Sequence, residues 1–157
     1  GNKYLSKMFN DYWMRDQGFL RGPQQGDLRD LISRSASGDI VAVEPDDTLM
    51  MAYARMKLYD VSQLPVLDRD EAAERHIAGM LDEWDLLHAV TQDPQAFRRP
   101  VRDFMSSRLE TVSPSAAVTD LVPIFDKGMV AIVVEDGRFL GLITRIDVLN
   151  YLRRRLR

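Results

Sequence analysis

Gly141-Leu142-Ile143-Thr144-Arg145-Ile146-Asp147-Val148-Leu149 closes an apolar strand pattern and opens a helical one. Gly79-Met80-Leu81-Asp82-Glu83-Trp84-Asp85-Leu86-Leu87 has the same frame, with Gly and Asp at matching places. Working outward, Leu28-Arg29-Asp30-Leu31 matches Val101-Arg102-Asp103-Phe104, and Val43-Glu44-Pro45-Asp46 matches Val112-Ser113-Pro114-Ser115. Order and internal spacing agree in all three blocks, while the offset between copies drifts, so the loops differ in length. The chain carries an internal repeat.

Each copy reads the same way. A short strand (Ile40–Val43; Leu109–Val112) runs into a proline. A capping residue follows, Asp46 or Asp47 in copy one and Ser115 in copy two. Leu49, Ala52, Tyr53 and Met56, and then Val118, Leu121, Val122 and Phe125, repeat the spacing of a helix with one apolar face. Two strands come next: Gln63–Leu67 with Ile77–Leu81, and Val130–Glu135 with Phe139–Thr144, the second pair joined by a hairpin turn at Glu135-Asp136-Gly137-Arg138. A last helix starts near Glu83 and near Arg145. Pro123 falls inside the second helical pattern, where it should kink the helix or delay its start. The expected fold class is α+β, two β-α-β-β-α units packed with pseudo-two-fold symmetry, because one unit alone buries too little to be secure. The expected division is 1–26 for an N-terminal helix and linker, 27–92 for repeat one and 93–157 for repeat two.

Residues 3–17 carry an apolar stripe at helical spacing, Tyr4, Leu5, Met8, Phe9, Tyr12 and Trp13. It packs on this chain's own core or on a domain that lies outside this sequence. Gly18 to Gly26 reads as a linker. The chain has 157 residues, a net charge of −3 and no Cys. It offers no thiol chemistry, no general pull toward nucleic acid and no apolar run long enough to span a bilayer. The start, Gly1-Asn2-Lys3, shows neither a signal peptide nor an initiator Met, which suggests a cytoplasmic piece of a longer chain.

Thr144 lies at a strand–helix junction, where a hydroxyl, a backbone N–H and the helix N-terminus favour a negative group. Asp147, one turn on, is placed to accept two ribose hydroxyls. The alternative is a simple helix cap, Thr144 with Asp147 three residues later. Arg145 is the basic residue placed to meet a ligand's anionic end. Asp82, Asp85 and His88 share a helical face only loosely, and solvated surface is the ordinary reading, not a metal site. His76 reads as plain surface. Arg153, Arg154, Arg155 and Arg157 suit a helix C-terminus. With two His and no Cys, no nucleophile–base pair stands at recognisable spacing, so no catalytic residue is expected.

The repeat, with Val43-Glu44-Pro45-Asp46-Asp47-Thr48-Leu49, Val61-Ser62-Gln63-Leu64-Pro65-Val66-Leu67-Asp68 and Gly141-Leu142-Ile143-Thr144-Arg145-Ile146-Asp147, resembles a pair of CBS domains over residues 27–152. Lys3-Tyr4-Leu5-Ser6-Lys7-Met8-Phe9-Asn10-Asp11-Tyr12-Trp13-Met14 and Gln17-Gly18-Phe19-Leu20 resemble the segment closing the catalytic domain of cystathionine β-synthase, a pyridoxal phosphate enzyme. The resemblance implies a regulatory module acting on that catalytic domain, in a homodimer, with an adenosyl ligand (AMP, ADP, ATP or S-adenosylmethionine) between the copies. It implies that Asp147 holds the ribose, that Thr144 meets the carboxylate or phosphate end and that Ile146 packs on adenine. Val41 and Ala42 would line the adenine end, with Val61, Ser62 and Gln63 opposite. Val61-Ser62 stands where S-adenosylmethionine-binding relatives carry an aromatic–acidic pair, and in the other cleft Asp82 and Trp84 replace Thr144 and Ile146. That second cleft is expected to be empty or differently filled, Asp85 keeping the ribose position. The rival expectation is a ligand-free module that holds an assembly together.

Overall fold

A computed structural model describes residues 27–34 and 37–156. The helix expected at 3–17 and the linker at 18–26 lie outside the described residues. The chain divides into two compact units. One holds residues 27–33 with Glu110–Asp136 and Leu140 to the C-terminus; the other holds Arg34–Leu109 with Gly137–Phe139.

In the Arg34–Leu109 unit, α1 (Leu49–Tyr59) buries Leu49, Ala52 and Met56. Tyr53, expected on that face, is 40% exposed. The cap of α1 is not Asp46 or Asp47 but Thr48, whose Oγ1 accepts from the Met51 amide at 3.2 Å. Asp47 turns back instead and accepts from the Glu44 amide. The helix stops at Asp60, which takes a left-handed conformation (φ 54°). β1 (Gln63–Arg69) and β2 (Arg75–Asp82) form an antiparallel pair with a bulge between Val66 and Leu67. The strand expected at Ile40–Val43 is reduced to one parallel bridge, Val43 to Val66. Only Val43 makes ladder hydrogen bonds there: its amide donates to the Pro65 carbonyl and its carbonyl accepts from the Leu67 amide. α2 (Glu83–Gln92) follows β2 directly. Val43, Leu49, Leu64, Val66, Leu81, Leu86 and Val101 make the centre of the core.

The other unit repeats this with a shorter first half. β3 covers only Thr111–Val112 and pairs in parallel with β4 (Ala131–Glu135), which neighbours β5 (Arg138–Ile143). Ser115 caps no helix: the next element is a 3-10 turn at Val118–Leu121, and the Ser113 and Ser115 hydroxyls bond each other. Pro123 delays the α-helix as expected. α3 is only Val122–Asp126, with the proline in its first turn, where its missing N–H costs nothing. The four apolar positions are buried all the same: Val118, Leu121, Val122 and Phe125. The β4–β5 turn has φ 52° at Asp136 and 79° at Gly137, the two left-handed residues that a tight hairpin needs. α4 (Arg145–Arg155) ends in Arg153, Arg154 and Arg155, cations at the negative end of the helix.

The Arg-Asp repeat segments dock alike. In the first unit described, Ser106 exchanges two backbone hydrogen bonds of 2.8 Å with Met80 of β2. In the other, Ser33 donates to Leu142 of β5 at 2.8 Å. Beside each contact stands the repeat glycine. A Cβ on Gly79 would lie 2.8 Å from Met105 Sδ and from the Ser106 carbonyl oxygen. One on Gly141 would lie 2.3 Å from Ile32 Cγ2. The close approach that each repeat glycine allows is thus taken up by the fold itself.

Candidate functional site

At the start of α4, the Thr144 amide and the Thr144 hydroxyl both donate to Asp147 Oδ2 at 2.8 Å. Both residues are half-buried. This is the helix cap weighed as the alternative reading, and it has a consequence for binding. The carboxylate is fixed by two donors on one oxygen. Among the described residues, no hydrogen bond is made to Oδ1. A held carboxylate with one unsatisfied oxygen is what a hydroxyl pair of a sugar can use. Ile146 is 60% exposed, so an apolar surface stands beside that carboxylate. The Arg145 guanidinium donates to the Phe125 carbonyl at 2.7 Å, so its charge sits at the C-terminal end of α3.

The other residues expected from the sequence to bind a ligand lie in the Arg34–Leu109 unit. Val41 and Ala42 are half-buried and precede the Val43 bridge. Val61 and Gln63 are half-buried and Ser62 is exposed, where the chain turns from α1 into β1. The Ser62 carbonyl accepts from the Glu83 amide at 3.0 Å, which ties that turn to the start of α2.

The start of α2 carries the counterpart of the Thr144–Asp147 pair. Asp82 Oδ1 accepts from the Asp85 amide at 2.8 Å, and Asp85 Oδ2 accepts from the Asp82 amide at 3.1 Å. Two carboxylates now share the cap. Burial pushes the Asp85 carboxyl above its ordinary value, and the neighbouring charge of Asp82 adds to this, against the hydrogen bond from the Asp82 backbone. Trp84 is 67% exposed and stacks on His88 with ring centroids 6.0 Å apart. Together with Tyr53, Val61, Leu87 and Phe97 it lines an open groove of about 840 Å³. Among the described residues no group of three His, Asp or Glu side chains is placed to hold a metal ion. No helix among them is long and apolar enough to cross a membrane.

Two features escaped the sequence. His76 is not plain surface: its Nε2 lies 2.7 Å from Asp70 Oδ2 and its Nδ1 2.5 Å from the Gly137 carbonyl oxygen. The Asp70 hydrogen bond, then the Gly137 carbonyl, raise the His76 pKa above its ordinary value. The His76 hydrogen bond lowers that of Asp70. Nothing in the local sequence signals the contact, since Gly137 is remote along the chain. The other feature is an arginine-lined pocket on the Arg34–Leu109 unit, whose signal was two arginines flanking a hairpin.

The CBS-domain family profile matches residues 28–92 and 101–154. The chain belongs to the CBS-domain family. CBS pairs of this size are regulatory rather than catalytic. The chain is 30% identical over 134 residues to inosine-5'-monophosphate dehydrogenase of Aquifex aeolicus, covering 81% of the chain and 26% of the dehydrogenase. It thus spans about a quarter of that relative. Among solved structures, a CBS-domain-containing protein of Agrobacterium tumefaciens superposes with a TM-score of 0.66 at 24% identity, over 84% of this chain and 96% of that one. A Vibrio cholerae protein named for acetoin utilization (AcuB) does so with a TM-score of 0.69 at 22% identity, over 82% and 90%. These likenesses establish the α+β fold of two CBS repeats.

Proposed function

We propose that this CBS pair is the ligand-sensing regulatory module of a larger cytoplasmic enzyme and that it binds an adenosyl nucleotide. The observation that carries the reading is Asp147, whose carboxylate is held by Thr144 through one oxygen and keeps the other for a ribose. Thr144, expected at the anionic end of the ligand, spends its amide and its hydroxyl on Asp147 and so positions that carboxylate instead, and Ile146 supplies a surface for adenine. In this reading Val41, Ala42, Val61, Ser62 and Gln63 complete the site. With no aromatic–acidic pair at Val61-Ser62, AMP, ADP or ATP are favoured over S-adenosylmethionine. The ligand acts by linkage: it shifts the module only by its differential affinity for two states, and the segment before residue 27 passes the shift on. For the parent we favour a cystathionine β-synthase-like enzyme, on the resemblance of residues 3–20. The dehydrogenase relative supports a nucleotide-handling parent instead.

Titration calorimetry of the chain with AMP, ADP, ATP and S-adenosylmethionine tests this. One saturable site is expected, and a ligand at a hundred times its Kd adds about 2.7 kcal/mol of stability. Asp147→Ala should abolish AMP binding while the chain stays folded, since losing a cap costs about 1 kcal/mol. AMP binding that survives in Asp147→Ala overturns the ribose assignment. The second reading is a ligand-free assembly module, favoured by the apolar groove at Tyr53, Trp84, Leu87 and Phe97. Its occupant would be a second copy in a homodimer. No response to any of the four ligands, with a dimer lost in Trp84→Glu by sedimentation, selects it.

A further inference from the structure

Arg69 and Arg75 are direct cross-strand partners at the turn end of the β1–β2 hairpin. Like charges placed opposite each other on a sheet destabilise it. Both arginines nevertheless line one pocket of about 380 Å³, and Arg55 of α1 lines it too. The Arg55 guanidinium donates to the Ala42 carbonyl at 2.7 Å, a neutral partner that orients the group without cancelling its charge. Arg75 lies 5.9 Å from the centroid of the Phe139 ring, again without cancellation. Arg69 approaches Glu44 at 3.7 Å, too far for a hydrogen bond, and reaches the Ala73 carbonyl at 3.4 Å. Of the two carboxylates on the wall, Asp47 is turned to the Glu44 amide. Three guanidiniums therefore converge on a concave, mostly polar site with less negative charge than they need.

We propose that this pocket binds an oligophosphate group, with Arg55, Arg69 and Arg75 as its ligands. Planar guanidinium forks match phosphate oxygens in pairs, and such charge-assisted bonds are about twice as strong as neutral ones. A bound anion also relieves the Arg69–Arg75 repulsion. The pocket uses none of Asp147, Thr144 and Ile146: every residue lining it belongs to the Arg34–Leu109 unit, and it shares only Ala42 with the residues proposed for the nucleotide.

The test is calorimetric titration of the chain with inorganic tripolyphosphate at near-physiological salt. Saturable binding is expected. Arg55→Gln and Arg75→Gln should each weaken it about tenfold or more, and Asp147→Ala should leave it unchanged. Arg75→Gln should keep or raise the melting temperature in phosphate-free buffer, so weaker binding there is not a folding defect. ATP that displaces tripolyphosphate identifies a nucleotide's phosphate chain as the ligand; ATP that fails to do so identifies a free oligophosphate. Absence of saturable binding, or binding that both arginine variants retain, overturns the proposal.

Discussion

At the start of α4 a threonine hydroxyl donates to the Asp147 carboxylate; at the start of α2 the same place is Asp82, whose carboxylate accepts from the Asp85 amide instead. Backbone geometry is nearly the same in both, with the first residue extended and the third carboxylate reaching back to its amide. The electrostatics differ. Asp147 accepts from two donors on one oxygen. Asp85 shares its cap with a second carboxylate and has a raised pKa. The two repeats thus keep one backbone turn and differ in the electrostatics of the side chain that opens the helix.

The repeat glycines give the largest expected effect. Gly141→Ala and Gly79→Ala each overpack a buried contact and should cost about 1–3 kcal/mol in chemical denaturation. The two copies should then part. Ile32→Ala should restore part of the loss in Gly141→Ala, because the three atoms nearest the new methyl all belong to the Ile32 side chain. Met105→Ala should not rescue Gly79→Ala, because the Ser106 carbonyl stays in the way. Equal rescue of both would break that distinction.

Thr144→Val removes the hydroxyl donor and should cost about 1 kcal/mol, seen as a lower melting temperature, while also weakening any ligand held by Asp147. Asp85→Asn should act in the opposite direction. The folded chain binds the Asp85 proton more tightly than the unfolded chain does, so this carboxyl favours folding at acid pH. That help is lost as pH rises through the raised value. Asp85→Asn should therefore raise the melting temperature at pH 7, by about 2 °C if the relief approaches 1 kcal/mol, and change little in acid. A loss of stability at pH 7 would show that the cap outweighs the repulsion.

His76→Ala should have the smallest effect, confined to a window of pH. Protonated His76 contributes fully below its unperturbed pKa of 6.5, and this contribution disappears as pH rises through the raised value. The contribution of Asp70 is complete above the ordinary carboxylate range and is lost as pH falls through its lowered value. A lower melting temperature at pH 6 that vanishes well above neutrality is expected. A deficit that persists in alkali would assign His76 a packing role instead.

Much of this was legible in the chain. Alternation and helical spacing located both hairpins and the helices starting at Glu83 and Arg145 to within a few residues, because each has one buried and one open face. Pro123 announced its own disturbance. The first strand of copy one misled, since Ile40, Val41 and Val43 are β-branched but only Val43 finds a strand partner. Asp46 and Asp47 misled because Thr48 stands beside them and wins the cap. At the site, the spacing of Thr144 and Asp147 was readable, but not which atom bonds which. The arginine pocket was hidden because it depends on register: Arg69 and Arg75 are neighbours only once the bulge after Val66 is counted.

The Arg-Asp segments have one more consequence, which concerns time. Residues 101–106 complete the Arg34–Leu109 unit, so a ribosome must pass Leu109 before the main body of that unit can close. Residues 28–33 are made first yet dock last, against a strand that ends at Ile143. Leu28, Leu31 and Ile32 must therefore wait uncovered until β5 has been made. A chain cut between the two sequence repeats would leave each half without its own docking segment, and the halves would fold only by meeting.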